Sequence, residues 1–513
     1  MVLWPLLHLF SAWSSIDSAL WHHLQQTLLT ELIINTLTLA FWVALGTGFL
    51  GISIAWLVTR CEFAGRRWFE WTLFLPFAMP AYVLAFVFLG IFDYTGVLQS
   101  WLRDWGLITG GWDIRQNVST LALTMSLVFY PYVYLLARSA FLTEPPHFNE
   151  VARTLGYPPL KSFFHLSLPL ARPAIIAGLS LAIMEVLADF GTVAIFNYDT
   201  FTTAIYSSWT DFRSIETAAQ LSTILIAFAV LLIALEQWQR GKKTFYSNKH
   251  HRPQTYPLKG WKAKLAQGYL TLILSLTFII PVIQLGLWSW QTLETSWDAR
   301  YYQWIGNSLL LAATAALITA LLAFMMNLLI HNGSVSRLQK LSMRAITLGY
   351  ALPGSVLAIG VMAVFIDIQQ GLNIQLWLNT SLFALMVAYI IRFFAVANGP
   401  IESRFQAIQP SIAQSAQTLG ASPLRIAQKI YWPLLKTGVL TAILLVGLDI
   451  LKELPATYLL RPYGWDTLAV RTYELSAEGL YEAAAIPALL LLIIGCIGLI
   501  LTERIRLKNE PKN

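Results

Sequence analysis

Two apolar stretches carry acids that a lipid-facing helix would exclude. In LAIMEVLADFGTVAIF (181–196), Glu185 and Asp189 stand four residues apart, and so on one helical face. In LDILKELPATYLLRPYGWDTLA (448–469), Asp449 and Glu453 repeat that spacing, with Lys452 between them as an internal partner. Charge inside hydrocarbon is expensive and marks a translocation path or gate. Two roles fit these residue types. Four carboxylates facing a central passage would favour a cationic solute, and carboxylate oxygens suit a hard ion such as Fe(III). Alternatively, the acids hydrogen-bond to and cap helix ends near Gly191 and Pro455, closing a gate without touching the solute. The residues alone leave both open.

Positioning such groups takes a helical frame inside the membrane. Of the 513 residues, 57% are hydrophobic and 12% charged, with twenty Trp, which leaves too little polar surface for an ordinary soluble globule. The apolar residues gather into runs near the roughly 20 residues that a helix needs to cross a bilayer. There are eleven: 32–57, 69–91, 121–142, 168–190, 215–235, 265–287, 305–330, 346–366, 382–397, 434–451 and 483–501. They predict an all-α polytopic membrane protein, and the short alternating strands of a barrel do not occur.

Residues 237–264 carry eight Lys or Arg and no acid, which by the positive-inside rule makes them a cytoplasmic loop. Loops at 60–67, 143–167, 331–344 and 402–432 then share that side with the C-terminal tail. Loops at 93–117, 191–212, 291–303 and 456–477 lie outside. The net charge of +7 therefore reflects topology, since a nucleic-acid footprint needs a basic face on a soluble domain. Cys61 and Cys496 are isolated and read as small buried hydrophobes. Residues 1–10 are apolar but lack the basic start of a signal peptide.

The chain is also written twice. Between 150–175 and 414–439, eight of 26 positions are identical, among them Ala152/Ala416, Gly156/Gly420, Pro159/Pro423 and Pro169/Pro433; chance gives about two. Upstream, PAYVLA (80–85) matches PGSVLA (353–358), and NTLTLA (35–40) matches NSLLLA (307–312). Downstream, Glu185 and Asp189 fall opposite Asp449 and Glu453. Six runs separate the two polar segments, and an even number returns the chain to the same side. The halves are thus parallel copies about an axis along the membrane normal. PVIQL (281–285) has its counterpart in PLLHL (5–9), so about half of the opening helix is missing from the first half. Either that half has five spans or the true start lies upstream; a short, partly inserted N-terminal segment is expected, for eleven or twelve spans in all.

Each polar segment reads as two short cytoplasmic helices joined at a glycine, Gly156 or Gly420, with Pro159 or Pro423 opening the second. Amphipathic helices paving the membrane surface are the plainer account, but a repeated helix–Gly–helix unit suits a docking surface. Glu150-Val151-Ala152, Gly156 and Leu168-Pro169, and again Gln414-Ser415-Ala416, Gly420 and Trp432-Pro433, resemble the signature loop of permease subunits of bacterial ABC importers of the type I class. The resemblance covers nearly the whole chain as two fused permease domains, 1–238 and 265–513, joined by a basic cytoplasmic linker, 239–264. It implies that these loops are coupling helices docking on two copies of a separate ATPase, with a substrate-binding protein on the outer side and the bacterial inner membrane as the location. Gln414 replaces the family's acid, which implies two unequal ATPase contacts.

The sequence holds no G-x-x-x-x-G-K-[ST] phosphate loop, and GKKT (241–244) lacks the upstream Gly. A transport subunit without its own ATP site, not an enzyme, is expected, with no cofactor in this chain. MEVLADFGT, LKELPAT and LRPYGWDTLA together resemble the fused permeases of ferric-iron importers, which implies ferric iron as the solute. Thiamine, polyamine or another small solute is the alternative within the same class. An ion-coupled secondary transporter would explain the acids but not the two matching cytoplasmic segments. A membrane-embedded enzyme is disfavoured because His147, His165, His250, His251 and His331 lack paired ligand spacing.

Overall fold

A computed structural model describes residues 3–14, 18–144, 154, 156–240, 255–332, 349, 352–371 and 380–509. Among them, eleven helical segments are long and apolar enough to cross a membrane, one for each apolar run. Their helices are α1 (Leu29–Arg60), α2 (Ala81–Phe92, followed by Val97–Asp104), α3 (Val118–Leu142), α4 (Leu168–Ala188), α5 (Ile215–Arg240), α6 (Trp261–Leu274 and Ile280–Ser296), α7 (Arg300–Asn332), α8 (Gly354–Gly371), α9 (Leu382–Gln406), α10 (Trp432–Leu451) and α11 (Tyr481–Asn509). Helices α1 to α5 repeat as α7 to α11.

Two predicted spans shift. The run 69–91 is not one helix: Arg66–Thr72 ends, a 3-10 turn covers Leu75–Ala78, and α2 starts only after Pro80. Within the run 346–366, the described helix likewise begins directly after a proline, Pro353, at Gly354. The matched prolines explain both starts. Proline lacks the N–H that an interior helical position donates, but fits at the start, where that N–H has no partner.

Within each half, three long helices pack together: α1 with α3 and α4, and α7 with α9 and α10. The second helix of each half sits at the seam between the halves. Helix α2 lies against α3 and the short helix Gly191–Ile195 of its own half and also against α6 and α11, whereas α8 lies against α9 and Pro455–Leu460 of its own half and also against α5 and the N-terminal helix Leu3–Ser11. Every residue from Ala81 to Gly90 is buried, as is every residue from Gly354 to Phe365, as expected of helices apolar on all sides. These two helices join the copies into one body.

The N-terminal helix Leu3–Ser11 stands where the repeat places it. Leu9 and its counterpart Leu285 are both fully buried, each against the second helix of the opposite half. Its end is tied to α5 by Trp13 Nε1 donating to Thr223 Oγ1 (2.9 Å) and Gln220 Nε2 donating to the Ala12 carbonyl (3.0 Å).

One charged contact anchors the cytoplasmic end of the first half. Arg60, at the end of α1, is fully buried and paired with Glu144, just past α3. The guanidinium also donates to the Phe141 carbonyl (2.9 Å), and Glu144 accepts from Ser167 (3.3 Å) at the foot of α4. The linker closes over this region: Tyr256–Pro257 pairs in parallel with Cys61–Glu62, and the Tyr256 ring lies 6.3 Å from that of Trp56. The second half has Ile408 where the first has Glu144. Removing one partner of a buried ion pair strands the other, at about 3–5 kcal/mol. Glu144→Leu is therefore expected to lower the thermal midpoint of the purified protein clearly, and Arg60→Met with Glu144→Leu to recover most of the loss. A double variant no better than the single one would show that the pair is not what secures these helix ends.

Candidate functional site

The four acids and Lys452 surround one cavity of about 100 Å³ between the halves, also lined by Phe77, Tyr82, Tyr132, Phe190 and Arg392. The 264-residue offset makes Asp189 and Glu453 counterparts, and their surroundings match. Asp189 Oδ1 accepts from the amides of Thr192 (2.9 Å) and Val193 (3.3 Å), the start of the short helix Gly191–Ile195. Glu453 accepts from the amides of Ala456 and Thr457 (both 2.9 Å), the start of Pro455–Leu460. A threonine hydroxyl adds a further bond in each case, Thr192 at 2.8 Å and Thr457 at 2.6 Å. Both carboxylates thus satisfy helix-start amides that would otherwise be orphaned, as in the capping role, while also lining the cavity.

Glu185 and Asp449 lie one helical turn earlier. Glu185 accepts from the Tyr132 hydroxyl (3.0 Å). Asp449 pairs with Lys452 (3.1 Å), whose ammonium lies 4.3 Å from the centre of the Phe77 ring. Among the described residues, no three His, Cys, Asp or Glu converge as a metal site, so the four acids share a cavity without forming a chelating cluster.

Sequence reasoning missed Arg392 and Tyr82. Arg392 projects from α9, with Nη1 3.6 Å from Glu453 Oε1. Its signal was the one used for the acids, a charge within an apolar run, in YIIRFF (389–394). Its effect is to leave four acids facing two cations, Arg392 and Lys452, a formal balance of −2, where the four acids with Lys452 alone would give −3. Gly354, at the start of α8, makes room for this group: a Cβ there would stand 2.0 Å from Arg392 Nη1 and 2.6 Å from Glu453 Oε1. Rings from both halves cover the side reached by 191–212 and 456–477. Phe190 meets Tyr206 (4.7 Å) and Tyr473 (5.3 Å), and Tyr206 stacks on Tyr458 (5.3 Å).

In the second polar segment, helix Pro410–Thr418 carries Gln414 and Ala416 and ends at Gly420, with φ +79°. The Gly420 amide donates to Gln417 (2.9 Å) and the Ala421 amide to Ala416 (3.0 Å), a Schellman stop that needs the left-handed glycine. Pro423 then opens a helix that continues through a π turn, Ala427–Tyr431, into α10. A separate second short helix was expected; instead it is the cytoplasmic extension of the span. The first segment does the same from Pro159 through Phe163–Ser167. Each π turn ends two residues before a proline, Pro169 or Pro433, whose missing N–H leaves the carbonyl four residues earlier without its usual partner. Gly156 has φ +67°; Glu150 and Ala152 lie outside the described residues. The matched Leu160 and Leu424 are 70% and 68% exposed, apolar knobs at the same point on both copies.

The family model for the binding-protein-dependent transport system inner membrane component matches residues 47–240 and again 320–508. The chain belongs to this family. It is therefore a multi-pass inner-membrane permease built from two copies of one domain, a transport component of importers that use a binding protein and a separate ATPase. The permease is 28% identical to the Fe(3+)-transport system permease protein FbpB 2 of Haemophilus influenzae, over 94% of this chain and 91% of that one. It is 30% identical to the sulfate transport system permease protein CysT of Escherichia coli over 31% of this chain and 55% of the relative. To the molybdenum transport system permease protein ModB of Escherichia coli it is 29% identical over 42% of this chain and 92% of the relative.

Gly354→Ala drives a methyl into the Arg392–Glu453 contact, whereas Gly399→Ala on α9 meets nothing within 4 Å. The first is expected to cut binding-protein-stimulated ATP hydrolysis by the assembled transporter at least fivefold with unchanged chromatographic behaviour, and the second to leave it near wild type. Equal rates for the two would show that the cavity tolerates displacement of that pair.

Proposed function

We propose that this permease carries ferric iron inward, driven by two copies of a separate ATPase that grip the hooks at 144–165 and 408–429. What supports the solute most is similarity to an Fe(3+)-transport permease along 94% of the chain, together with a cavity whose acids outnumber its cations. In this reading Glu185 and Asp449 meet the passing ion, Asp189 and Glu453 hold the short helices that frame it, and Lys452 tempers Asp449. Gly156, Pro159, Gly420 and Pro423 shape the hooks, and Glu150, Ala152, Gln414 and Ala416 meet the ATPases. ATP-driven approach of the two ATPases rocks the halves, separating the rings of Phe190 and Tyr206 from those of Tyr458 and Tyr473. The domain division at 239–264 belongs to the same reading.

A second reading, an oxyanion importer, is favoured by Arg392 and Lys452 in the cavity and by the sulfate and molybdenum relatives. Uptake of ⁵⁵Fe by proteoliposomes holding the complete transporter separates the two. Glu185→Gln with Asp449→Asn is expected to reduce ATP-dependent ⁵⁵Fe uptake at least tenfold. Gly420→Pro is expected to abolish co-purification of the ATPase while the permease still inserts. Wild-type vesicles that take up ³⁵S-sulfate and exclude ⁵⁵Fe would overturn the iron assignment.

A further inference from the structure

Arg392 lines the cavity with donors that are largely unanswered among the described residues. Its side chain is 11% exposed, and neither Nε nor Nη1 has a hydrogen-bond partner among the described residues. The Tyr82 hydroxyl, on the N-terminal turn of α2 and lining the same cavity, is also buried without a partner. A guanidinium offers a planar fork of donors matched to carboxylate and phosphate oxygens, and unmet buried donors are costly. Among the described residues, two donors from opposite halves therefore line one small space without a hydrogen-bond acceptor, Arg392 Nη1 having only the Glu453 carboxylate at 3.6 Å as an ion-pair partner.

The acids cannot serve a trivalent ion alone. Asp189 and Glu453 are engaged by backbone amides, and Asp449 is paired with Lys452. The formal balance of −2 leaves a bare +3 ion uncompensated in a low-dielectric site, and a hard cation seeks about six oxygen ligands where no three acids converge. A small oxyanion supplies the missing oxygens and charge, and it accepts from Arg392 and Tyr82. At about 100 Å³, the cavity is well below the roughly 300 Å³ of pockets that enclose larger organic ligands.

We infer that Arg392 and Tyr82 form an oxyanion subsite in the passage, and that the metal ion crosses together with a small oxyanion held there. This rests on the iron reading for the metal but not for the anion. The test is dual-label uptake by the complete transporter in proteoliposomes, with ⁵⁵Fe and either ³²P-phosphate or ³⁵S-sulfate. One of the two anions is expected to enter with iron at a constant ratio, dependent on ATP. Arg392→Gln is expected to lower uptake of both labels at least tenfold, and Arg392→Lys, which keeps the charge and guards against a folding defect, to retain a measurable part. Iron entering with neither anion, or an unchanged anion-to-iron ratio and rate in Arg392→Gln, would overturn the subsite while leaving iron transport standing. Vesicles that exclude ⁵⁵Fe but take up ³⁵S-sulfate or ⁹⁹Mo-molybdate in an Arg392-dependent way would overturn the iron reading and sustain the subsite.

Discussion

A carboxylate in the middle of an apolar bundle must be met by donors, because its desolvation is otherwise prohibitive. Asp189 and Glu453 are met by the second and third amides of the short helices that follow them. The relation is mutual. The acids are stabilised by the helix starts, and the helix starts are held at the cavity by the acids. The turn from α4 into Gly191–Ile195, the turn from α10 into Pro455–Leu460, the site of Arg392 and the placing of the aromatic rings all follow from these two contacts. Capping and lining the passage are thus one role, not competing ones: a carboxylate can use some of its lone pairs on the backbone while the remainder face the cavity.

The second constraint is the placing of α2 and α8 at the seam. A bundle whose halves met only at flat, lipid-like surfaces would gain little from association, since hydrocarbon offers no hydrophobic drive between helices. Each of these buried helices packs on its own half and on the other half at once. The cavity lies at the start of α2, and the start of α8 touches its Arg392–Glu453 pair, so any relative motion of the halves must alter its walls.

The copies are not equivalent. The first half braces its hook with the buried Arg60–Glu144 pair; the second has Ile408 at the acid's place and instead links Asn327, Asn398 and Glu402 by hydrogen bonds of 2.6 and 2.8 Å. The second half alone supplies both cavity cations. The two frames are similar, but the charge lining the cavity is asymmetric, as are the polar contacts near Glu144 and Ile408.

Local chemistry made much of this legible without a fold. Runs of bilayer length, basic loops, the helix-breaking glycines and the matched prolines each act over a few residues, so most of the spans, the glycine stop at Gly420 and the acids at 185, 189, 449 and 453 could be read directly. The broken run at 69–91 was misread because hydrophobicity persists through Pro76 and Pro80 while the helix does not. Sequence could not show that α2 also packs on the opposite half, because apolarity says that a helix is buried and not by what. Nor could it place Arg392, 60 residues before Lys452 in sequence but on the wall of the same cavity. The sequence determined which groups carry charge into the membrane; only tertiary packing decided which of those charges answer one another, since a Coulomb energy depends on separations that chain order does not fix.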